Sequence, residues 1–333
     1  MDIIVDKDIE GTSLLGRTVS VLGYGNQGEA QALNLRDSGV DVLVGLPRGR
    51  ASTSRAKDAG FDVLEPGEAA ARGDVLALLV PDDIMAGFVV DEVAPNVRDG
   101  AAIVFAHGFP LTFGGVVPPD GVDVVVVAPM GPGLRLRERF AEGDGLPASF
   151  AVERDVTGTA RDTALAYARA IGCARVGLFE TTAAEETEID LFAEQAVLCG
   201  GVTRLIQAGF DTLVKAGYSP ELAYMECLYE LDLTVNLIVR FGIAGMRDRI
   251  SRTALYGDLT RGGRIIGGDV RREMEEVLGE IRDGTFAEEM VSDEAEEGRG
   301  LAEAAREERS GLLEEVARRL ARVAHPEGES ESP

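Results

Sequence analysis

Four carboxylates in the second half of the chain recur at helical spacing: Asp190 with Glu194, and Glu226 with Glu230. Residues four apart share a helix face, where like charges repel by about 0.2–0.5 kcal/mol, so folding alone does not select them. Glu186 continues the first stripe, and the neighbours are apolar: Leu191, Phe192 and Val197 around one pair, Met225, Leu228 and Leu231 around the other. Buried carboxylates need a cation. Two such pairs brought together offer hard oxygen ligands for one or two Mg²⁺. The same spacing also fits solvated acidic faces, common in a chain this rich in acids.

A second constellation is Gly23-Tyr-Gly-Asn-Gln-Gly28, directly after an apolar run and opening a helical stretch. Glycines there permit a tight turn and the close approach of a pyrophosphate to a helix N-terminus. A ligand-free glycine turn is the plainer alternative, and the strand–turn–helix context favours the dinucleotide. An NAD site usually carries an acid about 20 residues beyond this fingerprint. Here the second run ends Val44-Gly-Leu-Pro-Arg48-Gly-Arg50-Ala-Ser52, with no acid. Arg48, Arg50 and Ser52 suit a 2′-phosphate, which points to NADPH; a solvated basic loop is the alternative. His107, one of two histidines, follows another apolar run, at the strand end where open α/β sheets bind ligands.

The elements that must hold these groups follow from the hydropathy pattern. Thr18–Leu22, Asp41–Val44, Phe61–Leu64, Val75–Val80, Ala101–Ala106 and Val122–Ala128 are short apolar runs separated by helix-length segments. Runs of this kind are strands buried on both faces, hence a parallel, doubly wound α/β domain of Rossmann type. Ser149–Val152 and Ala174–Leu178 extend the sheet. Beyond Thr182 the strand signal stops and helical spacing takes over. The expected organisation is therefore a Rossmann-like domain over 1–182, an all-α domain over 183–325 and a disordered polar tail over 326–333. Several of the later helices are apolar around much of their circumference, which calls for a second subunit.

Composition narrows the function classes. Lys plus Arg number 33 against 58 Asp plus Glu, a net charge of −25, which disfavours nucleic acid and anionic membranes as partners. Three cysteines without paired spacing, no signal-peptide pattern and no apolar run of membrane length suggest a cytoplasmic protein acting on small molecules.

Taken together, the motifs resemble ketol-acid reductoisomerase of the short, class I type. The resemblance is carried by Leu22-Gly-Tyr-Gly-Asn-Gln-Gly28, Ala32-Leu-Asn-Leu-Arg-Asp-Ser-Gly39, Ala106-His-Gly-Phe109 and Ala128-Pro-Met-Gly-Pro-Gly133. It continues through Glu185-Glu-Thr-Glu-Ile-Asp-Leu-Phe192, Glu194-Gln-Ala-Val-Leu-Cys-Gly-Gly201 and Ser251-Arg-Thr-Ala-Leu-Tyr-Gly-Asp258. The resemblance implies a knotted helical domain, NADPH and Mg²⁺ as cofactors, and a homodimer or larger homo-oligomer. It implies metal ligation by Asp190 and Glu194, with Glu226 and Glu230 commonly supplied by the partner. It assigns Glu186 and His107 to the active site, Glu194 to catalysis as well as the metal, Gly133 to the cofactor region and Ser251 to the substrate carboxylate. The implied reaction converts a 2-hydroxy-2-alkyl-3-oxo acid such as 2-acetolactate to a 2,3-dihydroxy acid by alkyl migration and reduction.

The departures from the family pattern cluster on the active-site face. Met130 stands where the family has lysine and Leu134 where it has histidine; Pro110, Thr112 and Gly115 replace Asn, His and Gln; Glu29 and Gln31 replace histidines. A thioether neither accepts a proton nor binds a hydroxide. Three functions therefore compete: an ordinary reductoisomerase, a diverged enzyme on a related 2-keto acid, and a non-catalytic nucleotide-binding paralogue. The retained acids disfavour the last, since idle buried charge is costly.

Overall fold

The computed structural model describes residues 2–11, 13–295 and 299–324. They fall into two compact units, Met1–Ile189 and Asp190–Pro333. The stretch 326–333, expected to be a disordered tail, lies outside the described residues, as does His325.

The first unit is α/β. Its strands are β1 (Ile3–Ile4), β2 (Thr18–Leu22), β3 (Asp41–Gly45), β4 (Asp62–Leu64), β5 (Val75–Leu78), β6 (Ala102–Phe105), β7 (Asp123–Pro129), β8 (Ala148–Arg154) and β9 (Leu178–Glu180). Its helices are α1 (Asn26–Asp37), α2 (Ala51–Asp58), α3 (Pro66–Arg72), α4 (Asp82–Phe88), α5 (Phe109–Thr112), α6 (Gly133–Ala141), α7 (Ala160–Ala170) and the start of α8 (Ala183–Ala193). The sheet order is β1-β9-β8-β7-β6-β5-β2-β3-β4. From β4 to β7 every pairing is parallel. Apolar clusters cover both faces, one around Val21, Val44, Val104 and Tyr167, the other around Leu22, Leu76, Ile103 and Phe105. That two-sided burial is why these strands lack polar alternation.

The remaining edge departs from expectation. β8 runs antiparallel to β7, and the short β1 closes the sheet antiparallel to β9. Within the stretch 174–178 only Leu178 is in a strand; Cys173–Arg175 forms a tight 3₁₀ turn before it.

The second unit is helical: α9 (Gly200–Lys215), α10 (Pro220–Tyr224), α11 (Glu230–Arg247), α12 (Arg252–Ile265), α13 (Gly268–Asp283), α14 (Thr285–Ala295), α15 (Arg299–Arg309) and α16 (Leu312–Ala324). Phe210, Ala223 and Val316 form a small core between α9, α10 and α16. Gly242 breaks α11 with φ +71°, a conformation L side chains rarely adopt. Leu205, Leu222, Leu233, Val239 and Ile243 remain exposed on these helices. No helix among the described residues is long and apolar enough to cross a membrane.

Candidate active site

Strand order reverses direction about β2, with β3 on one side and β5 on the other, and ligands bind at such switch points beyond the carboxyl ends of strands. A cavity of about 610 Å³ opens there. Its walls come from the loops after β2 (Gly23 to Gln27), β3 (Leu46, Pro47, Arg50, Ser52), β5 (Val80 to Asp82) and β6 (His107).

The glycines of the first loop do different jobs. Gly23 has φ +106°, and a Cβ there would overlap the Leu79 carbonyl. A Cβ on Gly28 would overlap the Gly23 carbonyl, and one on Gly133 the Asn26 carbonyl. Those three allow backbone to pack on backbone, and Gly28 and Gly133 stand behind the cavity wall. Gly25 is different: it lines the cavity, precedes α1 in extended conformation, and a Cβ there would meet nothing within 4 Å. This is an open cradle at the N-terminus of a twelve-residue helix, which fits a dinucleotide pyrophosphate.

A chain of amides fixes the loop from behind. The buried Tyr167 hydroxyl donates to Gln31 Oε1 at 2.7 Å, Gln31 Nε2 to Gln27 Oε1 at 3.0 Å, and Gln27 Nε2 to the Gly131 carbonyl at 3.0 Å. Gln31, one of the departures from the family pattern, thus ties the nucleotide loop to the segment after β7.

Tyr24 behaves otherwise. Its side chain is buried, packed edge-on to Phe61 at 6.0 Å, and its hydroxyl has no hydrogen-bond partner. Burial, followed by the charge of Glu29, pushes its pKa up to about 12. An unsatisfied hydroxyl costs about 1–3 kcal/mol, so Tyr24→Phe is expected to leave the protein equally or more stable in urea at pH 7. The unfolded phenol loses its proton near pH 10 and the folded one near 12, so the native state loses stability across that interval. The Phe variant should lose less stability there, and urea midpoints at pH 7 and 11 check both statements.

The basic residues after β3 separate. Arg50, Ser52 and Arg55 line the cavity. Arg55 is engaged by the Tyr24 carbonyl at 3.0 Å and Glu29 at 3.3 Å. Arg48 is not among the lining residues; its Nε lies 2.6 Å from Glu65 Oε1.

His107 lines the cavity, with Nε2 3.1 Å from Asp82 Oδ1, close enough to pair when the ring is protonated. Asp82 was not singled out from sequence; its only signal was its place at the end of the β5 segment. Buried Glu186 accepts the Gly108 N–H at 2.5 Å, and Thr187 and Thr112 pack against the same turn, with hydroxyls 3.2 Å apart. Glu186 therefore holds the turn that presents His107. The Cys173 thiol is pushed up to about 12 by burial, as expected of an inert core cysteine.

In the second unit the helix register at the acids differs from a plain α-helix. Residues Glu194–Leu198 and Met225–Tyr229 are π turns, with Cys199 N–H donating to the Glu194 carbonyl at 2.8 Å. The four-residue spacing of Glu226 and Glu230 crosses one of them, which alters the angle between the two side chains while leaving them neighbours along the helix. Such bulges occur frequently at functional sites. Asp190, Glu194, Glu226 and Glu230 are exposed, and among the described residues no three His, Cys, Asp or Glu side chains converge as a metal ion requires. All four are hard oxygen donors, which suits Mg²⁺ chemically. Ser251 caps α12, its Oγ accepting the Ala254 N–H at 3.1 Å while its own hydrogen can donate.

Comparison with known proteins decides the family. The NADPH-binding domain of acetohydroxy acid isomeroreductase matches residues 13–177, and the ketol-acid reductoisomerase C-terminal domain matches residues 184–325. The chain belongs to the ketol-acid reductoisomerase family. A solved structure described as an NADH-preferring ketol-acid reductoisomerase from an uncultured archean is 40% identical, with 97% of this chain and 99% of that one covered at a TM-score of 0.93. A semialdehyde dehydrogenase NAD-binding protein from Cupriavidus necator (18% identity, TM-score 0.62) and a pyrroline-5-carboxylate reductase from Coxiella burnetii (14%, 0.53) share the fold alone. They cover 80% of this chain, and 99% and 96% of their own. As a reductoisomerase-family member the chain is an oxidoreductase/isomerase with a nicotinamide-binding domain. Met130 stands 51% exposed just beyond β7, where the family's lysine is expected, and Leu134 is exposed beside it.

Proposed function

We propose that this protein converts a 2-hydroxy-2-alkyl-3-oxo acid such as 2-acetolactate to a 2,3-dihydroxy acid, using NADPH and Mg²⁺. The single observation that carries this reading is family membership along both halves of the chain. The cavity at the switch point supports the nucleotide half: Gly25 and the α1 N-terminus receive the pyrophosphate, and Arg50 and Ser52 the 2′-phosphate. The similar archaeal protein is NADH-preferring; Arg50 and Ser52, with Arg55 beside them on the cavity wall, favour NADPH here.

Asp190 and Glu194 of one chain, with Glu226 and Glu230 of a second copy, would hold the Mg²⁺. When bound, the metal polarises substrate oxygens and so lowers the barrier to migration. The exposed apolar side chains of α9–α11 support burial against that second copy. His107, beside Asp82 and on the turn that Glu186 holds, would give a proton to the carbonyl oxygen whose carbon takes the hydride. Ser251 has a hydroxyl hydrogen to offer the substrate carboxylate.

A second reading is favoured by Met130: a diverged enzyme that keeps the reduction and lacks the migration. Incubation with 2-acetolactate, NADPH and Mg²⁺, followed by mass analysis of the acids formed, tests the first reading. A 2,3-dihydroxy acid, absent without Mg²⁺, is the expected result; unchanged 2-acetolactate alongside bound NADPH contradicts it.

A further inference from the structure

Gln27 and Gln31 stand four apart on α1, so their amides meet on one face of the helix. The chain of hydrogen bonds they belong to has a single sense. The Gly131 carbonyl can only accept, so Gln27 must turn Nε2 to it and keep Oε1 for the next donor. Gln31 must then give Nε2 to Gln27, which leaves its own Oε1 to receive the Tyr167 hydroxyl. Tyr167 is fully buried on α7, and burial holds its phenol far above the usual range, so it remains a donor at neutral pH. Gln27 forms part of the cavity wall; Gln31 and Tyr167 are buried and are not among the lining residues. Two residues outside the cavity thus decide which end of the Gln27 amide faces which way. Nε2 carries two hydrogens: Gly131 takes one, and a ligand oxygen can take the other.

We propose that Gln31 and Tyr167 are positioning residues for the dinucleotide, which act by fixing Gln27 as an N–H donor in the cavity wall. This rests on the dinucleotide site proposed above. Phosphate oxygens only accept, and an amide left unrestrained can present either end. Fixing the donor end beforehand removes an ordering cost that binding would otherwise bear. The direction of the chain adds to this, since every donor points toward Gln27 Nε2. An anion at that end polarises all the bonds in the favourable sense.

NADPH binding to the purified full chain, followed by nucleotide fluorescence without substrate or metal, tests this in a cycle of variants, with thermal melts of the same preparations. Gln27→Met removes the donor. Gln31→Met combined with Tyr167→Phe removes the rest of the relay and makes both buried partners apolar, an exchange that can leave folding nearly unchanged. Each is expected to weaken NADPH about tenfold. All the changes together are expected to give the same loss of about tenfold, where independent effects would multiply to about a hundredfold. A multiplied loss, or unmodified affinity after Gln31→Met with Tyr167→Phe, overturns the proposal. If that pair does not fold, Gln31→Met alone takes its place in the cycle. Failure of the unmodified protein to bind NADPH overturns the dinucleotide site itself, a result distinct from tight binding that ignores the relay.

Discussion

Glu194→Gln and Glu230→Gln are each expected to lower turnover of 2-acetolactate at least about 10³-fold, equivalent to several kcal/mol of lost transition-state stabilisation. An amide is a far poorer ligand for a hard cation than a carboxylate. The stronger expectation concerns the two variants together. Dissociated, mixed in equal amounts and reassociated, they should recover about a quarter of the unmodified activity, because half the dimers are mixed and each mixed dimer carries one intact site. The proposed ligand set divides between two copies, Asp190 and Glu194 from one and Glu226 and Glu230 from the other, and the mixing experiment tests that division. Recovery is measured by NADPH oxidation after mixing, with each variant alone as baseline. No recovery from properly reassembled dimers would mean that all four acids serve one chain, or that they hold no metal.

Gly25→Ala is expected to abolish useful cofactor binding while sparing the fold. The glycine's φ of −89° suits alanine, and the added methyl would meet nothing within 4 Å. It would occupy the space that a pyrophosphate needs in order to approach the α1 N-terminus. Forcing a methyl into such a contact costs about 2–3 kcal/mol, or roughly 10²-fold in NADPH affinity. Gly28→Ala makes the opposite control, since its methyl would overlap the Gly23 carbonyl and should destabilise the domain itself. Fluorescence titration with NADPH, beside thermal melts of the same preparations, separates the two. Unaltered NADPH affinity in Gly25→Ala would place the pyrophosphate elsewhere.

Much of the first unit was legible because two-sided burial leaves a strong mark: β2, β3, β5, β6 and β7 coincide with continuous Val, Leu, Ile and Ala runs. The strands that were missed or misread lie on the β1–β9–β8 side of the sheet. Ile3–Ile4 is too short for periodicity to reveal, and the direction of β8 depends on tertiary packing. The cavity loop was readable from its glycines. Asp82 was not, since it becomes relevant only when neighbouring strand ends are brought together by the sheet. The π turns at Glu194–Leu198 and Met225–Tyr229 were invisible for another reason: one extra residue per turn leaves no compositional trace.

The most direct test of the reaction pairs two substrates against one cofactor. NADPH oxidation is followed with Mg²⁺ and either 2-acetolactate, which needs migration and reduction, or 3-hydroxy-3-methyl-2-oxobutanoate, which needs reduction alone. Turnover of both is the result expected of a reductoisomerase whose site tolerates Met130. Turnover of the second alone would contradict it and show that migration was lost with the lysine.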